Sequence, residues 1–234
     1  MFSRNEYKSL ITYSLILGFI FSFTEWGYDN FSLSVGLRNF LISSAISLIY
    51  ILSKESVRKL IAKKIGFDLE FKIWSVKLGK KSKKYIPIGP IIALGTVFIT
   101  NGQLLFAAIS KFDFKNFSKS DIKRRYEFAR GIEESILASI GAIVSTLLVL
   151  LFSILSIEKG VFIGTIIAIY SLIPLPSQDG LKMYFGSKWY SLLVVLFVVF
   201  ALAFIRNLSP VLTLISSILL ALAITAIVFY QLKN

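Results

Sequence analysis

The chain has 234 residues, 56% of them hydrophobic, and a mean hydropathy of +0.76, a balance that excludes an ordinary soluble domain. It contains neither cysteine nor histidine, which excludes disulfides, thiolate metal sites and imidazole ligation, so no cofactor is expected. The net charge of +13 would point to nucleic acid in a soluble protein, but in a membrane chain it is first sorted by loop, and a nucleic-acid partner is not expected.

The first apolar run, "SLITYSLILGFIFSFTEW", predicts a helix over 9–26. Arg4 and Lys8 precede it as in a signal sequence, but no small-x-small cleavage site follows, so a retained helix is expected. A second helix is predicted over 37–60 and runs out through "SKESVRKL". The segment 66–85 then reads "FDLEFKIWSVKL", the alternation of a half-exposed strand, which predicts a small β element at the membrane surface. Residues 53–85 carry eleven Lys or Arg against three acids, the strongest cytoplasmic signal in the chain. Within it Lys77, Lys80, Lys81, Lys83 and Lys84 form a basic patch that either sets topology or meets anionic headgroups.

The run 86–109 is broken by Gly89, Pro90, Gly95 and "TNG", and predicts either a re-entrant or interfacial hairpin or an extra helix. Further helices are predicted over 134–157, 160–178, 189–205 and 210–231. With 86–109 turning back, the basic segment "SKFDFKNFSKSDIKRRYEFARG" stays cytoplasmic, and the outer loops keep only Arg38, Lys159 and Arg206. The expected fold is thus an all-α polytopic membrane protein of one domain, 1–234, with about six transmembrane helices and both termini cytoplasmic.

One acid stands out. In "SLIPLPSQDGLKMYFGSKW" Asp179 lies at the end of an apolar run broken by Pro174 and Pro176. An acidic side chain at membrane depth costs about 2.5 to 3.5 kcal/mol, so Asp179 needs a cation, a metal or water. On local sequence alone it reads as a solvent-facing Asp-Gly turn with Gly180.

That stretch resembles the Asn-x-x-Pro…Asp-Gly segment of site-2-type intramembrane zinc metalloproteases, archaeal members above all. The matching residues are Pro174, Asp179 and Gly180, with Ser171 where the family has Asn. "SKESVRKLIAKKIGFDLEFKIW" resembles the family's H-E-x-x-H helix and the basic turn, Gly and strands that follow it. Lys54 and Arg58 stand at the histidine positions and Glu55 at the glutamate position. "GAIVS", with Gly141 and Ser145, is similar to the G-x-x-x-small pattern of the intervening helix. The resemblance covers about Leu41 to Lys188 and implies a site-2-protease-like core in an archaeal plasma membrane.

It also implies a pseudoprotease. Lysine and arginine are cationic and do not replace neutral imidazoles around zinc, so Glu55 has no metal-bound water to activate. A residual non-zinc hydrolysis by Glu55 and Asp179 would need one raised carboxyl pKa, against which Lys54 and Arg58 act. The expectation is a structural ion cluster of Lys54, Glu55, Arg58 and Asp179, with formal charges that cancel; the alternative is that both cations snorkel to the interface. The function expected is a scaffold or accessory subunit binding other integral membrane proteins. A transporter or channel using Asp179, with Glu133 and Glu134, is the other class.

Overall fold

The computed structural model describes residues 2–27, 31–77, 85–114 and 131–233. Among them are eight helices and four short strands, so the chain is mostly helical with a minor β element. Three helices are long and apolar enough to cross a membrane: Leu33–Ile65, Gly131–Ile154 and Pro210–Leu232. By that criterion this is a membrane protein.

Helix α1 (Arg4–Ser22) begins before its apolar run because Ser3 and Glu6 form a capping box, each side chain meeting the other's backbone N–H. Helix α2 (Leu33–Ile65) has 33 residues, about 50 Å at 1.5 Å per residue, far more than the ~30 Å hydrocarbon core. It outruns the predicted 37–60 at both ends and stops at Gly66. There φ is +96° and the N–H turns back to Ala62 and Lys63, a left-handed cap that glycine adopts without strain.

Strands β1 (Leu69–Ile73), β2 (Val76–Lys77) and β3 (Tyr85–Ile86) come from the alternating segment. Lys77 closes β2, while Lys80, Lys81, Lys83 and Lys84 lie outside the described residues. In β1, Leu69 and Phe71 point inward and Lys72 outward, as the period of two requires. Its partner is β4 (Ser110–Phe114), antiparallel with Phe71 opposite Phe112, and β2 pairs with β3. Lys72, Glu70, Asp113 and Lys111 form a charge ladder on the outer face, with separations of 3.1 to 3.6 Å.

The broken run 86–109 is a 12-residue helix, α3 (Ile88–Ile99), and an extended return. At about 18 Å it is too short to cross the bilayer core. Its two ends meet at Trp74, whose carbonyl accepts from Gly89 N–H at 3.0 Å and whose own N–H donates to Ile109 at 2.7 Å. A Cβ on Gly89 would lie 2.9 Å from the Ile109 backbone, so only glycine fits this junction.

Helices α4 (Gly131–Ile154) and α5 (Glu158–Leu172) follow. The predicted 160–178 helix divides here: α5 ends at Leu172, and Ile173, before Pro174, is extended as a pre-proline residue favours. A separate eight-residue helix, α6 (Asp179–Gly186), then starts at Asp179. Helices α7 (Lys188–Phe204) and α8 (Pro210–Lys233) complete the chain as an antiparallel pair. The hydrophobic core falls into two clusters, one among α1, α2, α3 and α5, the other among β1, β4, α4, α6 and α7. The candidate site lies where α2 and α4 bridge them.

Candidate functional site

Helix periodicity puts Lys54, Glu55 and Arg58 on one buried side of α2, at 4%, 2% and 1% exposure. The break between α5 and α6 turns the chain back so that Asp179 opens α6 facing α2, at 7% exposure. Three of these side chains meet. Arg58 Nη1 donates to Glu55 Oε1 at 2.7 Å, and Arg58 Nη2 donates to Asp179 Oδ2. Arg58 Nε donates to the Leu137 carbonyl of α4 at 3.1 Å, and the guanidinium lies 4.6 Å from the centre of the Phe112 ring.

One planar cation therefore serves carboxylates from two helices, a carbonyl from a third and an aromatic face from a strand. Arginine suits this role because its donors form a rigid fork, where lysine offers a point charge. Lys54 stands apart. It forms no ion pair within 4 Å with a described residue, and its nearest cation-binding surface is the Tyr13 ring, 5.8 Å from Nζ. The four-residue ion cluster expected from the sequence is thus a triad of Glu55, Arg58 and Asp179 with Lys54 beside it.

The other positions that carry the resemblance lie on and between the helices around the triad. Gly141 faces it so closely that a Cβ there would sit 2.8 Å from Arg58 Nη2 and 2.9 Å from Asp179 Oδ2. Ser171 is buried in the last turn of α5, and its hydroxyl donates to the Ile167 carbonyl at 2.8 Å rather than to the triad. Ser145, one turn beyond Gly141, is fully buried with its hydroxyl unpartnered. Pro174 ends α5, and Gly180 lets α6 press against the Leu172 and Ile173 carbonyls, which a Cβ would approach to 2.4 and 2.5 Å.

Residues 103–114 close the centre as a strap. Tyr13 donates to the Ala107 carbonyl at 3.1 Å, and Phe112, fully buried, takes Arg58 and Lys182 as two cation partners, Lys182 Nζ at 3.7 Å. Lys182 also donates to the Phe112 carbonyl at 2.5 Å. Burial pushes the Lys182 ammonium below its ordinary range, further than Asp179 and Asp113 draw it back up. What remains is a cavity of about 10 Å³ lined by Tyr13, Lys54, Ser110, Ser171, Gln178 and Asp179, room for about one water and none for a peptide. Asp179 Oδ1 and Gln178 Nε2 are buried beside it without a protein partner.

Phe112, Lys182, Gln178 and the Leu137 carbonyl were not read as site groups from the sequence. Only the alternation in "SKFDF" signals Phe112, as the inward residue of a strand. The centre does not fit a zinc ion: both carboxylates are engaged by Arg58, and Lys54 adds a further positive charge. Among the described residues no three acidic side chains come together in a metal-holding group. No protein-family model, curated protein or solved structure matches the chain.

Proposed function

We propose that this chain is a non-catalytic relative of the site-2-type intramembrane metalloproteases, acting as a scaffold or accessory subunit for other membrane proteins. The observation that carries the reading is the Arg58 guanidinium between Glu55 and Asp179, the two carboxylates that the resemblance assigns to water activation and metal binding. A guanidinium hydrogen-bonded to both suits an internal clamp and occupies the oxygens that metal binding or water activation would need. The order of the motif positions and their convergence on one buried point support the family reading. The topology that goes with it has about six crossings in an archaeal plasma membrane, the α3 segment re-entrant, and both termini and the basic patch cytoplasmic.

The strap bears on how partners are held. With the centre closed by the chain's own residues, binding falls to the outer helix faces, in a permanent complex or with exchanging clients. Co-purification from the native membrane in mild detergent, with mass spectrometry of what survives sizing, tests this. Membrane-protein partners at fixed stoichiometry are expected. A protein that emerges alone, or proteolysis of a membrane-helix substrate abolished by Glu55→Gln, overturns it.

A further inference from the structure

At the end of the helices away from Gly66, the structure holds a cleft of about 800 Å³ between the α4–α5 turn and the end of α7. Its apolar wall is Val161, Phe162 and Leu202, and its rim carries Ser153, Ser156, Glu158 and Arg206. The size and the mixture, an apolar wall with a few polar groups, are those of a small-molecule site. Glu158 and Arg206 are both exposed, and neither forms an ion pair within 4 Å with a described residue, although they share one cleft. Lys159, next to Glu158, is by contrast taken up by Glu25 at 2.5 Å. Ser156 is held at φ +56°, a left-handed position that glycine fills at less cost, so a hydroxyl is kept on the rim at the expense of strain.

We infer that this cleft binds a phospholipid with a zwitterionic headgroup. Arg206 meets the phosphate, for which a guanidinium fork is suited, and Glu158 meets the ammonium. The rim hydroxyls take the remaining phosphate oxygens, and one hydrocarbon chain runs along Val161, Phe162 and Leu202. The cleft lies where apolar helices end, at the depth where headgroups sit in a bilayer. An anionic lipid would satisfy Arg206 and leave Glu158 opposed, so the pair of charges selects against it.

The full chain, reconstituted in vesicles of equal phosphatidylethanolamine and phosphatidylglycerol and extracted in mild detergent, is weighed intact by native mass spectrometry. Wild type is expected to retain one phosphatidylethanolamine in preference to phosphatidylglycerol. Glu158→Gln shifts that preference about tenfold toward phosphatidylglycerol, the scale of one charge-assisted hydrogen bond, and Arg206→Gln loses both lipids. Neither side chain makes a contact the fold needs, so unfolding midpoints stay at the wild-type value. Equal lipid ratios in all three proteins, or a wild-type preference for phosphatidylglycerol, overturn the inference. So does displacement of the lipid by soluble phosphoethanolamine, which would assign the cleft to a small soluble ligand.

Discussion

Asp179 and Arg58 are each buried, and each is the other's partner across two helices. Removing one side of a buried ion pair strands the other charge, which costs about 3–5 kcal/mol, whereas removing both replaces the pair with neutral packing at much lower cost. Asp179→Ala and Arg58→Met are therefore each expected to lower thermal stability in detergent by about 3–5 kcal/mol. The triple variant Glu55→Gln, Arg58→Met, Asp179→Ala should cost clearly less than the sum of the three separate changes. Additive losses, or an unchanged midpoint for Asp179→Ala, would show that the side chains merely lie near one another. From the sequence, Lys54 and Arg58 are equal candidates for Asp179, one turn apart on α2. The choice rests on reach and on the number of donors, which become visible only when α4 and the strap are in place.

The first turn of α1 joins three elements through one carboxylate. Glu6 accepts from Lys59 of α2 and, at 3.0 Å, from the Phe71 N–H on the free edge of β1. Burial pushes the Glu6 carboxyl up, but Lys59 and the Ser3 and Phe71 N–H groups outweigh it and hold it below its ordinary value of 4.5. Glu6 lies ahead of the apolar run, at the aqueous end of the helix. Since the folded group ionises at lower pH than the unfolded one, its stabilisation is complete above pH 4.5 and is lost as pH falls through the folded value. Glu6→Gln should lower the unfolding midpoint at neutral pH and flatten its decline below pH 4.5, read from melts across that range. A variant with the wild-type acid slope would remove Glu6 from the linkage. Apolar runs made most helices legible from sequence, although α2 runs past its predicted end at 60 to the Gly66 cap. Legibility failed where geometry depends on distant chain: β4 lies in a charged stretch whose partner is about forty residues away, and Asp179 finds its cation, Arg58, 121 residues back.

At the scale of the whole molecule, absence of native cysteine makes sidedness directly measurable. Lys63 and Lys188 are exposed at one set of helix ends, and Asn207 is exposed at the other. In sealed vesicles, single cysteines at Lys63 and Lys188 should react with a membrane-impermeant maleimide from the cytoplasmic side only, and one at Asn207 from the opposite side only. Labelling of all three from one side would exclude a crossing in α7 and reduce the number of spans. The three longest apolar helices differ in how much protein covers them: α4 is 67% buried over its most apolar window, α2 39% and α8 17%. The helix that holds the triad's glycine is central, and the most apolar helix is peripheral, packed chiefly on α7 through Thr213, Ser217 and Ala221.

The triad also has a hereditary consequence. Arg58 is shared by two carboxylates, and Gly141 leaves it no spare room, so a single inherited change at 55, 58 or 179 strands a buried charge, and any side chain at 141 crowds the fork. Such positions exchange together or not at all. Descendants of this chain are expected to keep Glu55, Arg58, Gly141 and Asp179 as a set or to have lost them as a set. Any stepwise change to a different centre would have to pass through an intermediate with a stranded buried charge.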